Sequence, residues 1–204
     1  WNLMRIKPIE YRKVDYRVQR PVAGLWFSEG LSIFYADLMQ RRAGFPMEQA
    51  SRLEHLEILL GRYMNDPAYD RYSAEDISRV EYNAPYGAMG NYDPSTHLTG
   101  EVLTDLLYLI GRAATNSERD MDDVMRMMNE QHATQGFAGS DVERVVHEVC
   151  GCSVSDFFEQ HVRGANRIDA NRYLRPFGLQ MTVTRGPARA ANGEIERDFR
   201  IRAW

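Results

Sequence analysis

The sequence predicts a mainly α-helical fold that ends in short β strands. Apolar residues at helical spacing predict four long helices, at 22–43, 46–63, 99–114 and 119–133. After Gly178 the apolar period changes to two, because Leu179, Met181 and Val183 alternate with polar residues as half-buried strands do. The 204 residues, 44% hydrophobic and 26% charged, have the size and composition of one globular domain, or of one domain and a piece.

The boundaries of the elements follow from residues that begin and end helices. Gly44, with Pro46 behind it, ends the first long helix, and Ser73 is an N-cap for a short one. Several Gly, Pro and Asn residues after Tyr82 predict a loop. In chain order, the predicted elements are an extended segment over 1–20, helices over 22–43, 46–63 and 73–81, a loop over 82–99, helices over 99–114 and 119–133, two shorter helices that begin near Ser140 and Ser153, a helix near 169–175, and strands around 179–183 and 199–203.

Composition and charge disfavour several classes of function. The net charge is −4 and the pI is near 5.8, so nucleic acid is not an expected partner. The sequence has no run of 18 uncharged apolar residues, so no membrane span is predicted. No signal-peptide pattern opens the chain, although a chain that begins at Trp1 says nothing about the compartment of its parent protein. Cys150 and Cys152, one glycine apart, are expected to be reduced and partly buried rather than disulfide-bonded or metal-bound.

Glu29 is out of place in the first long helix. From Pro21 to Met39 that helix is apolar on nearly every face, and Glu29 and Asp37 are its only charged residues. Glu29 falls on an apolar stripe formed by Val22, Leu25, Trp26, Ile33 and Ala36. A buried carboxylate there costs roughly several kcal/mol unless a cation or a metal pairs with it. Two interpretations follow: a buried salt bridge, for example to an arginine of the N-terminal segment, or a metal-binding or catalytic carboxylate.

Motifs for a complete zinc site are missing from these residues. His147 and Glu148 begin like HExxH, but Gly151 stands where the second histidine is needed. Glu54 and His55 end like the inverted HxxEH motif, but residue 51 is serine. The sequence also lacks a GxSxG motif, a P-loop and a GxGxxG motif. These 204 residues alone therefore do not assemble a conventional zinc site around Glu29.

His97 is the second residue of interest, because it lies just before a predicted helix. A histidine at such a junction can act as an acid or base, or donate a hydrogen bond to an oxyanion. It can equally be an exposed or capping residue. The other four histidines lie on helical patterns among charged neighbours and are expected to be solvated: His55, His132, His147 and His161.

Several stretches of the chain resemble one family. WNLMRIKP, at the start, resembles the segment that directly follows HExxH in the glycyl aminopeptidase family of zinc metallopeptidases. LWFSEGLSIFY, followed by DLMQRRAGF, resembles that family's second zinc motif, a tryptophan-containing helix whose Glu-Gly carries the third metal ligand. The stretches DMDDVMRMM, GFAGSDVERVVHEVCGCSVSDFFEQHVRG and YLRPFGLQM resemble the helical half of its catalytic domain and the lead into a PDZ-like domain.

The resemblance implies a fold and a metal. Residues 1–177 would be the helical C-terminal subdomain of a thermolysin-like (gluzincin) catalytic domain, and residues 178–204 the truncated start of a PDZ-like β unit. Glu29 would be the glutamate ligand of a His-His-Glu zinc site, and the two histidines and the general-base glutamate would lie immediately upstream of Trp1. Three protein ligands leave an open zinc position, where a bound water can be activated to attack a peptide carbonyl.

The resemblance also implies a role for the residues before the next helix. The family and its relatives usually have Tyr-x-Lys-Gly there, with the tyrosine hydroxyl stabilising the oxyanion, and this chain has His97-Leu-Thr-Gly100. His97, or Tyr92 five residues earlier, is expected to stabilise the oxyanion. The parent would be a zinc aminopeptidase acting on peptides, often exported in bacteria, and this chain alone would be inactive. The alternative is a degenerate, non-catalytic scaffold or peptide-binding domain of the same fold, and the oligomeric state is left open.

Overall fold

The computed structural model describes residues 2–13, 15, 17, 18, 20–66, 70–80, 95–185 and 197–203. In these residues a series of helices precedes a two-stranded sheet, which confirms the mainly α fold class. The helices are α1 (Asn2–Arg5), α2 (Leu25–Arg42), α3 (Arg52–Asn65), α4 (Ala74–Val80), α5 (Thr96–Ala114), α6 (Met121–His132), α7 (Gly139–Cys150), α8 (Ser155–Phe157) and α9 (Ala170–Leu174). The strands are β1 (Leu179–Arg185) and β2 (Arg197–Ala203). None of the described helices is both long enough and apolar enough to cross a bilayer.

The helix α2 lies at the centre of the fold, as its apolar sequence predicts, and it packs mainly against α5. Trp26 and Phe27 near its start are each 1% exposed. The Trp26 ring meets the edge of Phe158 with the ring centroids 6.2 Å apart, and Phe27 meets Phe137 at 5.7 Å. One short segment of α2 therefore contacts aromatic rings from two later parts of the chain and holds them together.

Two helices do not begin at the predicted residues, and in both a serine N-cap sets the actual start. The second long helix begins at Arg52 rather than at 46, because Ser51 is extended and its side chain accepts the Glu54 N–H at 3.1 Å. The helix α5 begins at Thr96 rather than at 99, because the Ser95 side chain accepts the Leu98 N–H at 3.4 Å. His97 is therefore in the first turn of α5. The predicted loop over 82–99 lies largely outside the described residues.

The N-terminal segment was predicted to be extended, and this prediction is wrong. The segment forms α1 and a 3-10 turn at Ile9–Arg12. It is bound to the loop between α6 and α7: the Ile9 N–H donates to the Phe137 carbonyl at 2.9 Å, and the Phe137 N–H donates to the Lys7 carbonyl at 3.0 Å. Gly136 permits this close approach, because it has a φ of +78° and a Cβ there would lie 3.0 Å from the Ile9 Cα.

The two strands predicted after Gly178 are confirmed. They form an antiparallel pair in which Leu179 lies opposite Ala203. The strand β1 is attached to α9 through Asn171, whose side chain accepts the Met181 N–H at 2.7 Å and donates to the Met181 carbonyl at 3.1 Å. That this pair begins a PDZ-like unit stays a prediction.

The expectation that the two cysteines are reduced is wrong, because Cys150 and Cys152 form a disulfide. Their Cα atoms are 5.1 Å apart, within the range that a disulfide needs. Gly151 brings them that close, because it ends α7 in the left-handed region with a φ of +60° and reverses the chain between them.

Two histidines expected to be solvated are buried instead. His132 is 4% exposed, and its Nε2 lies 3.0 Å from a guanidinium nitrogen of Arg144. His161 is 5% exposed, with Nε2 3.2 Å from the Tyr173 hydroxyl, and burial lowers its pKa. Both have polar partners inside the fold. His147 is exposed, in agreement with the expectation.

Candidate functional site

The position of the candidate site is set by the crossing of α2 and α5, where two glycines meet. A Cβ on Gly30 would lie 2.0 Å from the carbonyl carbon of Gly100, and a Cβ on Gly100 would lie 2.0 Å from the Trp26 carbonyl oxygen. The helices therefore touch backbone to backbone, and any side chain at either glycine would separate them. Side chains next to this crossing on the two helices come close together as a consequence.

Glu29 and His97 are the side chains that the crossing brings together. Glu29 precedes Gly30, and His97 lies in the first turn of α5. The imidazole Nε2 is 3.0 Å from Glu29 Oε2, with side-chain exposures of 45% for His97 and 15% for Glu29. Two residues chosen separately from the sequence thus contact each other. Tyr92, the third candidate, lies outside the described residues.

The structure corrects the expected environment of Glu29. Of the apolar stripe predicted beside it, Val22 and Trp26 are buried, but Ile33 is 38% exposed and Ala36 is exposed. Glu29 therefore lies at the edge of the core, where its carboxylate is partly accessible, and the group beside it is an imidazole rather than an arginine. The salt-bridge interpretation fits the other charged residue of the helix, Asp37, which is 6% exposed and bound by arginines.

A cluster of buried charges, which the sequence reasoning missed, lies between α2, α3 and α5. It consists of Asp37, Arg41, Arg52, His55, Glu101 and Asp105. Arg52 is its centre: it reaches Asp37 Oδ2 at 2.8 Å and Glu101 Oε1 at 3.3 Å, and its Nε donates to Asp105 Oδ1 at 3.0 Å. A signal that could have revealed it is the pair of carboxylates, Glu101 and Asp105, four residues apart in the mainly apolar middle of α5.

Burial and arginine act against each other on the carboxyl groups of this charge cluster. Burial raises the pKa of Asp105 to about 6, even though Arg52 binds it. Burial also opposes ionisation of Asp37, but the hydrogen bonds from Arg41 and Arg52 outweigh it and hold the pKa of Asp37 below its ordinary value. The cluster approaches the candidate site through Glu101, which lies one helical turn after His97.

His55, expected to be solvated, is half-buried in the charge cluster, with Nε2 3.0 Å from Glu101 Oε1. Its other ring nitrogen lies 3.4 Å from the Gln49 side-chain oxygen. The imidazole and Arg52 together hold Glu101, which is 3% exposed. The base of α5 next to His97 is therefore fixed by charges as well as by the glycine crossing.

The side chains at the crossing are of the kind that a zinc ion binds. Carboxylate oxygen and imidazole nitrogen are both common zinc ligands, and Glu29 is accessible enough to reach an ion. A catalytic zinc needs three protein ligands, however, and no group of three His, Cys, Asp or Glu residues within the described ranges is arranged to hold a metal. A zinc site at Glu29 therefore requires ligands from outside the described residues.

Comparisons with known proteins agree on the type of fold. The family model for M61 glycyl aminopeptidases matches residues 1–103, which include both Glu29 and His97. No curated protein matches the chain. Among solved structures, an aminopeptidase N family protein from Idiomarina loihiensis is similar over 94% of this chain, with 20% sequence identity and a TM-score of 0.79. The chain spans 33% of that protein's length, and at this identity the likeness shows the fold alone.

Proposed function

Because the chain belongs to the M61 glycyl aminopeptidase family, we propose that it is part of the catalytic domain of a zinc-dependent aminopeptidase. Glu29 is the third zinc ligand in this proposal, and an HExxH motif upstream of Trp1 supplies two histidines and the general-base glutamate. The substrate is a peptide, from which the enzyme releases an N-terminal glycine or another small residue. The described chain alone is inactive, since it holds only part of the site.

The observation that carries the proposal is the position of Glu29. A glutamate on a central, apolar helix destabilises the fold unless a cation, a hydrogen-bond donor or a metal pairs with its carboxylate. The glycine crossing holds this one at the edge of the core with 15% of its side chain exposed, beside an imidazole from α5. A carboxylate that is fixed by a rigid backbone and still accessible is suited to binding a metal.

The residues of the chain have separate tasks in the proposed reaction. Bound zinc would supply an activated water for attack on the peptide carbonyl. Glu29 would be the residue of this chain that holds the ion, through a carboxylate oxygen. A donor near the start of α5 stabilises the negative charge that develops on the carbonyl oxygen, and His97 and Tyr92 are the two candidates.

A non-catalytic domain of the same fold is the second candidate function. One observation favours it: His97 already lies 3.0 Å from one Glu29 carboxylate oxygen, so the carboxylate has a protein partner without a metal. In that case the helices serve as a scaffold or bind peptides, and the full-length protein binds no zinc.

The zinc content of the full-length protein separates the two candidates. We expect about one zinc per molecule in the wild type, since a single three-ligand site is proposed, and a large loss in Glu29→Gln, whose amide is a poor zinc ligand. Glu48→Gln is the matched control, because Glu48 is exposed and lies outside α2. Equal zinc content in the wild type and Glu29→Gln would reject Glu29 as a ligand, and a zinc-free wild type with HExxH intact would favour the scaffold.

A further inference from the structure

The disulfide between Cys150 and Cys152 has no part in the proposed reaction, and stability does not account for it either. A disulfide stabilises a protein mainly by restricting the unfolded chain, and this effect grows with the length of the loop that the bond closes. The loop here holds one residue, Gly151, between the two cysteines. So short a loop restricts the unfolded chain very little, which leaves a chemical role for the bond to be considered.

The turn that carries the disulfide is held by contacts other than the S–S bond. Gly151 reverses the chain at the end of α7 with a φ of +60°. His147 Nδ1 lies 2.6 Å from the Cys152 carbonyl oxygen, and because a carbonyl oxygen only accepts hydrogen bonds, Nδ1 is the donor. The Cys152 N–H donates to Cys150 Sγ at 3.1 Å. The backbone can therefore keep its path when the two sulfur atoms are reduced.

The two cysteines differ in exposure. Cys150 is 6% exposed and belongs to the hydrophobic core, whereas Cys152 is half-buried at its edge. The residues on either side of Cys152, Gly151 and Ser153, are exposed. A surface groove beside the turn is lined by residues that include His147 and Ser153. A small molecule in solvent therefore reaches the sulfur of Cys152 more easily than that of Cys150.

We infer that Cys150 and Cys152 form a thiol–disulfide exchange site, at which a small thiol makes a mixed disulfide with Cys152. The thiolate of that thiol attacks Cys152 Sγ, the S–S bond breaks, and its electron pair leaves on Cys150 Sγ. The Cys152 N–H, which already bonds that sulfur, stabilises the new thiolate. This hydrogen bond opposes the carbonyl end of α7, which disfavours negative charge.

The mixed disulfide has two ways to react further. If the Cys150 thiolate attacks Cys152 Sγ, the original disulfide forms again and the small thiolate is expelled. If a second small thiolate attacks the sulfur of the first, the two small thiols leave joined by an S–S bond, and both cysteines remain as thiolates that take protons from water. Two small thiols are then oxidised and the cysteine pair is reduced. Neither route involves zinc, so the inference does not rest on the proposed function.

The test uses the full-length protein with reduced and oxidised glutathione as probes. Trypsin leaves both cysteines in one peptide, residues 145–163, so mass spectrometry after an acid quench and alkylation reads their state. We expect a millimolar excess of reduced glutathione to reduce the pair without denaturant, while the circular dichroism spectrum stays that of the oxidised protein. Oxidised glutathione should then restore the disulfide.

A matched pair of variants tests which sulfur is attacked. Cys150→Ser and Cys152→Ser each keep one cysteine of the pair. With oxidised glutathione, Cys150→Ser should form its mixed disulfide about tenfold faster than Cys152→Ser, because access and burial govern the reactivity of a thiol.

Three results would overturn the inference. A disulfide that glutathione reduces only after urea has unfolded the protein is a structural bond. Loss of helical signal on reduction has the same meaning. Equal rates in the two variants would remove Cys152 as the site of attack. The zinc content of the wild type is measured separately, so failure of the proposed function and failure of this inference can be told apart.

Discussion

Adding one methyl group at Gly100 should force α2 and α5 apart. In Gly100→Ala the new Cβ would lie 2.0 Å from the Trp26 carbonyl oxygen, whereas real Cβ atoms keep at least 3.0 Å from such an atom. The obstacle is backbone and not the end of a flexible side chain, so the helices must separate by about 1 Å to relieve it. Overpacking of this kind costs about 1–3 kcal/mol, and a rigid backbone obstacle belongs at the upper end.

Alanine also gains about 1 kcal/mol of helix propensity over glycine, which offsets part of that cost. We therefore expect Gly100→Ala to lower the free energy of unfolding by about 2 kcal/mol, or Tm by about 4–8 °C for a domain of this size. Gly111→Ala in the same helix is the control, because the atom nearest to its Cβ is 4.0 Å away. That variant should melt at or slightly above the wild-type temperature.

Thermal melts followed by circular dichroism measure both variants under the same conditions. A Gly100→Ala protein that is as stable as Gly111→Ala would refute the backbone contact between α2 and α5. Since the same contact holds Glu29 next to His97, Gly100→Ala in the full-length protein should also weaken zinc binding, whereas Gly111→Ala should not.

Two further predictions concern the charge cluster. Arg52→Met removes the cation that binds three buried carboxylates. It should lower the free energy of unfolding, measured by urea titration, by about 3–5 kcal/mol. The control is Arg62→Met, at an exposed residue of α3, which should change the free energy of unfolding little. A loss below 1 kcal/mol in Arg52→Met would mean that the carboxylates are not buried as described. Asp105, whose pKa burial raises to about 6, binds its proton more tightly folded than unfolded, so its contribution to stability is complete below pH 3.8 and is lost as the pH rises through 6. The free energy of unfolding of the wild type minus that of Asp105→Asn should therefore decrease as the pH rises from 3.8 to about 6. A difference that does not change with pH would contradict the raised pKa.

Local patterns predicted most of the helical framework. The all-round apolar sequence of α2 predicted a central helix, and the change of period after Gly178 predicted both strands. Where a prediction missed a helix start, at Arg52 and Thr96, a serine with extended backbone had set the boundary by capping. The pattern indicated which segments are helical, and the capping residue determined the first turn.

Features that depend on distant parts of the chain were predicted less well. Glu29 and His97 were each singled out, but their pairing follows from the glycine crossing, which no local pattern reveals. The charge cluster was missed because its carboxylates and Arg52 come from different helices. His161 was expected to be solvated because it has charged neighbours in sequence, whereas the fold buries it with its Nε2 next to the Tyr173 hydroxyl, which is 12 residues away.

The central claim is that Glu29 binds zinc beside His97. A crystal structure of the full-length protein with anomalous data at the zinc edge tests it most directly. The account predicts a zinc peak about 2.0–2.2 Å from one Glu29 oxygen. A zinc-loaded crystal with no anomalous peak at the crossing of α2 and α5, or with Glu29 turned away from the ion, would contradict it.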